Sequence, residues 1–210
     1  MRLITPYTMI LSEIDGKKIL RMLEIIGRTC YKSEGKITDD SAEKFVANLI
    51  KRGHEAMLEH YSFTVKFVVD RGISHEIVRH RLASFAQEST RYCNYTKDDF
   101  GNEITFIVPN HLDRYSEEFK TWRKTMENCE KAYFEQLEKG LKPEEARAVL
   151  PNSLKTEVVM TANIREWRHF FKLRAANTTG KAHPQMLEVT RPLLDALKSF
   201  IPVVFDDITY

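Results

Sequence analysis

A polar segment at residues 79–92 decides the interpretation of this chain, and it reads RHRLASFAQESTRY. It opens with three consecutive cationic or titratable side chains, Arg79, His80 and Arg81, and it closes with Ser89 and Arg91. Guanidinium groups, a hydroxyl and an amide within one short segment are suited to holding an anionic ligand.

The residues before this segment predict a helix that continues through residue 81, because Ile73, Ile77 and Val78 are spaced for one apolar face. At about 100° per residue, three consecutive helical positions fan over roughly 200° and cannot hold one small anion from one side. Either some of the three side chains are exposed to solvent, or the helix lies among several ligand groups or several subunits. Buried arginines would need anionic partners.

Further short motifs follow in order along the chain, and they include Gly53-His54-Glu55 with Glu59-His60, Glu145-Ala146-Arg147 with Leu150-Pro151, Asn163-Ile164-Arg165, and Leu173-Arg174. Together with the 79–92 segment they closely resemble the flavin-dependent thymidylate synthases. The resemblance covers roughly residues 50–190. It implies one α+β domain over residues 1–210, which assembles as a homotetramer with active sites built from several subunits.

The resemblance also implies a reaction, the reductive methylation of dUMP to dTMP. Methylenetetrahydrofolate would supply the carbon unit, and FAD reduced by NADPH or NADH would supply the hydride. No protein nucleophile is required, so the protein contributes positioning and electrostatics. The sequence has no Gly-x-Gly-x-x-Gly motif, so we do not expect the flavin to be held as in a dinucleotide-binding βαβ unit.

The site residues implied by the resemblance form two overlapping sets. The dUMP set consists of Glu76, Arg79, Gln87, Glu88, Ser89, Arg91, Arg147 and Arg174. The FAD set consists of His54, Arg79, His80, Arg81, Gln87, Asn163, Arg165 and His169. No metal site is expected, since His54 and His60 are six residues apart and would lie on different faces of a helix.

Arg174 is informative without the resemblance, because it shares the apolar helix face of Trp167, Phe170 and Phe171. An arginine on a buried stripe is either paired with a protein carboxylate or bound to an anionic ligand. The resemblance implies that it binds the nucleotide and favours ionisation of the pyrimidine at N3, which makes it the expected catalytic residue. A guanidinium suits this role because it stabilises an anion without losing its own proton.

Arg147 has a simpler alternative, a local helical ion pair with a neighbouring glutamate. The sequence also departs from the family pattern at five positions, which are Ala56, Glu76, Ala86, Gln87 and His169. A carboxylate at Glu76 would be repelled by a nucleotide phosphate, and the alternative is that it pairs with an arginine.

Composition indicates an ordinary globular protein of 210 residues, with 42% hydrophobic and 30% charged residues. The net charge of +2 gives no reason to expect bulk nucleic-acid binding. No apolar run approaches the length of a membrane span and no signal peptide is evident, so a cytoplasmic location is expected. Cys30, Cys93 and Cys129 are odd in number and widely spaced, as is typical of reduced thiols.

Hydrophobic periodicity predicts a mixed helix and strand order, which is the basis for the α+β class. Strands are predicted at residues 3–14, 62–70, 104–108 and 156–162, and helices at 17–32, from 40, 116–139, from 143, 165–174 and 184–200. Asp40 and Glu43 are spaced as a capping box.

Two rival functions remain open from the sequence. One is a flavin oxidoreductase that acts on another nucleotide, and the other is a non-catalytic nucleic-acid binder that uses the Arg-His-Arg segment. Cys93 follows the segment closely, but no base is positioned to activate it as a nucleophile. The absorbance of bound flavin would separate the two enzymes from the nucleic-acid binder.

Overall fold

The computed structural model describes residues 1–92, 95 and 101–210. Its strands and helices follow the order β1 (Arg2–Ile4), β2 (Tyr7–Ile10), α1 (Gly16–Tyr31), α2 (Ser41–Lys51), β3 (Ser62–Asp70), α3 (Arg71–Ile77), β4 (Ala83–Gln87), β5 (Thr105–Ile107), α4 (Glu117–Glu138), α5 (Pro143–Ala146), β6 (Lys155–Asn163), α6 (Ile164–Arg174) and α7 (Pro184–Phe200). Short 3-10 turns occupy Glu34–Lys36, Ala56–His60 and Arg147–Val149. The predicted α+β class is therefore confirmed.

Side-chain caps fix where the principal helices begin. Asp15 accepts from the backbone N–H of Lys18 at 3.1 Å at the start of α1. Ser116 accepts from Phe119 at the start of α4, also at 3.1 Å. Each cap satisfies a backbone donor that the first helical turn leaves without a partner. The spans predicted for these two helices are confirmed to within a residue.

Two sheets are present in the described residues. Strands β1 and β5 form a parallel pair, in which Leu3 lies opposite Phe106. The second sheet has the strand order β2-β3-β6-β4. Side chains along β6 alternate between buried and half-buried, as expected for a strand with one face in a core.

The chain divides into two compact units, each made of separate stretches of sequence. The first unit consists of Met1–Tyr7, Phe67–Arg79 and Phe85–Val159. Its core includes a cluster of buried side chains from Tyr95, Ile104, Phe106, Met126, Tyr133, Ala146 and Leu154. Helix α4 supplies Met126 and Tyr133 from one face, which confirms the helical spacing seen in the sequence.

The second unit consists of Thr8–Lys66, His80–Ser84 and Met160–Tyr210. Trp167 on α6 is fully buried and stacks on Phe63 with 4.9 Å between ring centroids. Gly27 on α1 allows a close approach to α2, because an added Cβ would lie 2.8 Å from the ring of Phe45. No helix within the described part of the chain is long and apolar enough to cross a membrane.

The structure corrects the prediction for residues 79–81. Helix α3 ends at Ile77, and Arg79, His80 and Arg81 lie beyond it, before strand β4. Arg79 and Arg81 are exposed, whereas His80 is only 5% exposed. The side chains of Arg79, His80 and Arg81 alternate between exposed and buried, as in an extended segment. The prediction that they continue the helix was therefore wrong. Strand β4 was missed because its apolar residues also fit a helical period.

Two smaller predictions also need correction. The single strand predicted at residues 3–14 is replaced by β1 and β2, which end at Ile10 and have Pro6 between them, because proline cannot donate a backbone hydrogen bond to a sheet. Asp40 lies at the start of α2, but its side chain makes no capping hydrogen bond. The predicted capping box is therefore absent there.

Candidate active site

In the first unit, two arginines meet around Glu144. Arg91 Nε lies 2.8 Å from Glu144 Oε2, and Arg147 Nε donates to the backbone carbonyl of Glu144 at 3.1 Å. Arg147 also donates to Thr90 Oγ1 at 3.2 Å, and Ser89 Oγ accepts from the backbone N–H of Arg91 at 3.3 Å. We call Ser89, Arg91 and Arg147 the phosphate cluster, because their donors suit phosphate oxygens.

The phosphate cluster is open to solvent. The Arg91 side chain is 58% exposed, and Arg147 is exposed as well. Arg147 follows the short helix α5, and its observed partners are a carbonyl and a hydroxyl rather than the helical glutamate pair that the sequence left open. Three side chains predicted to bind dUMP are thus brought together.

Gln87 and Glu88 lie near the end of β4 in the same unit. Gln87 Nε2 donates to Ser74 Oγ at 2.9 Å and to Thr156 Oγ1 at 3.3 Å. Glu88 pairs with Lys155 at 3.0 Å, while its Oε1 is buried and has no hydrogen-bond partner among the residues that the structure describes. Among these contacts, Gln87 acts as a donor and Glu88 as an acceptor.

Lys155 lies between the carboxylates of Glu88 and Glu157, at 3.0 and 2.8 Å. Burial acts to lower the pKa of Lys155, but the hydrogen bonds to Glu157 and Glu88 outweigh burial, so the pKa of Lys155 is raised overall. Lys155 therefore stays charged and neutralises much of the negative charge around Glu88. Glu76 is half-buried on α3 and Arg79 is exposed beyond it. Their assigned roles stay predictions.

In the second unit, His80 lies between Glu166 and Arg174. His80 Nδ1 is 3.2 Å from Glu166 Oε1, and Arg174 Nε donates to His80 Nε2 at 3.3 Å. The imidazole packs edge-on against Phe170, with 4.9 Å between ring centroids. Arg174 is half-buried at the last position of α6. Two predicted site residues, His80 and Arg174, are thus in direct contact.

The surroundings of His80 keep its imidazole neutral. Burial lowers the pKa of His80 to about 4, with further lowering from the nearby charges of Arg174 and His169. Burial raises the pKa of Glu166, although His169 acts in the opposite direction. A neutral imidazole has one donor and one acceptor nitrogen, which matches the two contacts of His80.

His80, Glu166 and His169 also bring their ligand atoms within 4.8 Å of one another, a spacing that suits a metal ion. Both ring nitrogens of His80 are already in hydrogen bonds, one of them with a guanidinium. A cation there would face the fixed positive charge of Arg174, so hydrogen bonding explains this group better than metal ligation.

The remaining predicted flavin residues of this unit lie on and around α6. Arg165 and His169 are exposed and one helical turn apart, and Arg165 pairs with Glu59. Asn163 caps α6 through its Oδ1, which accepts from Glu166 N–H at 2.9 Å. Its amide nitrogen is then the group available to a ligand.

His54 is exposed, and its Nδ1 lies 2.8 Å from the hydroxyl of Tyr31. Arg81 is exposed as well. Cys93 lies outside the described residues. Cys30 and Cys129 are free thiols in the structure.

Three acidic residues with clear positions here were missed by sequence reasoning: Glu144, Glu166 and Asp207. Asp207 holds the buried Arg168 through two contacts of 2.7 Å, and Glu55 lies 3.1 Å from the same guanidinium. Glu166 stands three residues after Asn163, which is a capping signal but says nothing of burial. No local pattern predicts its contact with His80, 86 residues away.

Comparison with known proteins places the chain in a family. The family model described as thymidylate synthase complementing protein matches residues 14–203. The flavin-dependent thymidylate synthase of Pyrococcus furiosus is 33% identical over 172 residues, covering 81% of this chain and 68% of that protein. The enzyme of the same name from Geobacter sulfurreducens is 32% identical over 190 residues, covering 87% of this chain and 79% of that protein.

The chain belongs to the flavin-dependent thymidylate synthase family. The family inferred from the sequence motifs is therefore confirmed, and so is the expectation that the chain is a thymidylate synthase. A third family member, from Pyrococcus abyssi, is 34% identical over 163 residues, and the match covers 77% of this chain but 65% of that protein. The chain therefore spans about two thirds to four fifths of the length of these three relatives.

The fold of this flavin-dependent thymidylate synthase family member also resembles solved structures. A crystal structure of the UMP/dUMP methylase PolB from Streptomyces cacaoi bound with 5-Br dUMP superposes with a TM-score of 0.80. The match covers 98% of this chain and 96% of that one at 20% sequence identity, so it bears on the fold alone.

Proposed function

We propose that this chain methylates dUMP to dTMP, with methylenetetrahydrofolate as carbon donor and with FAD, reduced by NADPH or NADH, as hydride donor. The family model over residues 14–203 supports thymidylate synthesis, and the names of the relatives support a flavin. The five motifs in order, from Gly53 to Arg174, support the same assignment. The specific cosubstrates follow from the family resemblance.

The phosphate cluster is the observation that carries the proposal. Arg91 and Arg147 lie around Glu144 with their side chains exposed, and Ser89 Oγ lies 3.3 Å from the backbone nitrogen of Arg91, an arrangement that suits a phosphate monoester. Arg91 and Arg147 supply fixed positive charge, and the Ser89 hydroxyl adds a neutral donor. We assign the dUMP phosphate to these side chains, with Gln87, Glu88, Glu76 and Arg79 as the further members of the dUMP set.

Arg174 is assigned to the pyrimidine of dUMP. Its guanidinium stays protonated, so it stabilises negative charge that develops on the ring without taking part in proton transfer. Helix α6 and His80 restrict its side chain, which favours a single orientation. Arg174 is therefore the catalytic residue of the proposal.

The donor set of the second unit fits a flavin. Arg165 and His169 lie exposed one turn apart on α6, close to the amide of Asn163 at the start of the same helix. A guanidinium suits a pyrophosphate, while imidazole and amide groups suit the polar edge of an isoalloxazine. His54, His80 and Arg81 of this unit, with Arg79 and Gln87, complete the proposed FAD set. When bound, the flavin supplies hydride transfer.

The proposal includes further features expected from the sequence. Residues 1–210 act as one functional domain, the enzyme is a cytoplasmic homotetramer, and several subunits contribute to each active site. No metal ion takes part. Sedimentation of the purified protein tests the tetramer independently of activity.

The proposal is tested with purified protein and dUMP, methylenetetrahydrofolate and NADPH. We expect flavin absorbance in the purified or FAD-supplemented protein and formation of dTMP, with UMP run in parallel as an alternative substrate. Arg91→Ala should raise the KM for dUMP, because a charge-assisted phosphate contact is lost. A colourless protein that does not quench FAD fluorescence on titration would refute the assignment.

Arg123→Ala is the matched control. Arg123 has the same 58% exposure as Arg91 and also pairs with a glutamate, Glu127 at 3.1 Å, but lies on α4 outside the proposed set. An equal effect of both variants would show that the phosphate cluster is ordinary surface. If the protein converted UMP but not dUMP, the proposed flavin chemistry would stand, but the assignment of dUMP as the substrate would be refuted.

A further inference from the structure

Glu166 is a buried acid that none of the predicted roles uses. Its side chain is 6% exposed and that of His80 is 4% exposed, and the two are 3.2 Å apart. On the opposite side of the imidazole, Arg174 Nε donates to Nε2 at 3.3 Å. A chain of hydrogen bonds thus links Glu166, through His80, to the proposed catalytic arginine.

The proton positions in this chain follow from donor chemistry. A guanidinium has donors and no acceptor, so His80 Nε2 must be unprotonated to accept from Arg174. The imidazole is neutral, since the pKa of His80 is lowered to about 4 by burial and by its cationic neighbours. Its one proton then resides on Nδ1, which faces Glu166. Oε1 accepts that hydrogen bond whether the carboxyl is ionised or carries its proton on the other oxygen.

The alternative tautomer would disturb Arg174. With the proton on Nε2, an imidazole N–H would face a guanidinium N–H, and neither group could accept from the other. The guanidinium would lose its Nε hydrogen bond to the ring, and with it the orientation that this bond favours. An acceptor at position 166 prevents this, because it makes the Nδ1–H tautomer the favoured one.

We propose that Glu166 is a positioning residue for Arg174, which acts by holding His80 in the Nδ1–H tautomer so that Nε2 fixes the guanidinium through Nε. A guanidinium held through Nε presents its two terminal nitrogens in one direction, as a planar ligand with adjacent acceptors requires. The role rests on the proposed function in one respect, that the ligand of Arg174 is the pyrimidine of dUMP. The tautomer itself does not depend on that function.

The first experiment reads the tautomer in the wild-type holoenzyme, with histidine labelled with nitrogen-15 and the His80 signals assigned by their absence from His80→Asn. Long-range proton–nitrogen spectra distinguish protonated from unprotonated ring nitrogens. We expect a protonated Nδ1 and an unprotonated Nε2 at neutral pH. A protonated Nε2 would overturn the proposal, even if no variant at residue 166 were to fold.

The second experiment compares Glu166→Gln with Glu166→Leu. Gln keeps an acceptor oxygen, whereas Leu removes it. For Glu166→Leu we expect a loss of about 10- to 100-fold in kcat/KM for dUMP, by analogy with the range seen when a partner that orients a metal-ligating histidine is removed. Protonated Nε2 should appear in the His80 spectrum of this variant. Glu166→Gln should stay within about threefold of wild type and keep the tautomer, since it retains the acceptor.

Glu188→Leu is the matched control, because burial also raises the pKa of Glu188 and its Oε2 is buried with no hydrogen-bond partner in the described part of the chain. It should leave the His80 spectrum unchanged. A Glu166→Leu enzyme that loses activity but keeps the wild-type tautomer would show a merely structural role and overturn the proposal. If wild-type protein made no dTMP but showed Nδ1–H, the proposed function would fail while the role of Glu166 in fixing His80 would stand.

Discussion

Replacing Arg168 with methionine should destabilise the protein strongly, although Arg168 is outside the proposed site. The Arg168 side chain is 1% exposed, and its guanidinium makes two contacts of 2.7 Å with Asp207. It also lies 3.1 Å from Glu55 and donates to the carbonyl of Val204. These contacts link the segment that contains Val204 and Asp207 to helix α6.

The magnitude follows from what the substitution leaves behind. Removing one partner of a fully buried ion pair costs about 3–5 kcal/mol. The remaining carboxylates are not fully buried, with Asp207 47% and Glu55 20% exposed, so water offsets part of that cost. The Val204 carbonyl loses its donor, worth about 1 kcal/mol. Methionine fills the space of the arginine stem, which keeps any cavity small. We expect a net loss of about 2–4 kcal/mol in the free energy of unfolding.

Urea denaturation followed by circular dichroism and by the fluorescence of the buried Trp167 measures this loss. Lys172→Met is the matched control on the same helix, because Lys172 is 40% exposed and lies 3.9 Å from the same Glu55 carboxylate. It should change the free energy of unfolding by less than about 0.5 kcal/mol, as for an exposed ion pair. A loss below about 1 kcal/mol for Arg168→Met, or equal losses in both variants, would refute this reasoning.

Three further predictions concern catalysis and pH. Arg174→Ala should lower the rate of thymidylate formation by about 30- to 1,000-fold, a loss of about 2–4 kcal/mol of transition-state stabilisation, while flavin absorbance is retained. Arg191→Ala is the control. Turnover of Arg174→Ala close to that of the control would show that Arg174 has only a structural role. Burial acts to raise the pKa of Asp207, but the hydrogen bond and charge of Arg168 lower it overall. Because the pKa of Asp207 is lower in the folded than in the unfolded protein, its pairing with Arg168 stabilises the fold above the unfolded pKa, and this stabilisation is lost as pH falls through the folded pKa. Urea titrations should therefore show that Arg168→Met lowers the free energy of unfolding by less below about pH 4. An unchanged loss of stability down to about pH 3 would contradict this. Cys93→Ala should lose less than about tenfold in rate, because the proposed mechanism has no cysteine nucleophile; an inactive, folded, flavin-loaded variant would contradict it.

The sequence predicted helices well where a full amphipathic period was available. Helix α4 carries Met126 and Tyr133 on one buried face over its 22 residues, and Ser116 caps it. The segment after α3 is different, because its few apolar residues fit a helix and a strand equally. The burial of His80 decides between them, and that burial depends on α6, which is distant in sequence.

The same reason limits what could be predicted of the site. The order of short motifs identified Ser89, Arg91 and Arg147, which the structure brings together. It could not identify Glu144 or Glu166, because a glutamate in a charged helix is most often solvated. Long-range partners of this kind are chosen by tertiary packing and have no spacing rule.

The acidic partners of the site arginines have a common physical consequence. Arg91 pairs with Glu144, and Arg165 pairs with Glu59. Both pairs are about half exposed, so each is worth about 0–1 kcal/mol and costs little to break. A hydrogen bond from a guanidinium to a bound anion contributes about 1.5–3 kcal/mol, so a ligand can displace the glutamate at a net gain. The glutamates restrict where the arginine side chains lie before a ligand arrives, which reduces the entropy lost on binding. Surface carboxylates beside an anion site are thus compatible with tight binding.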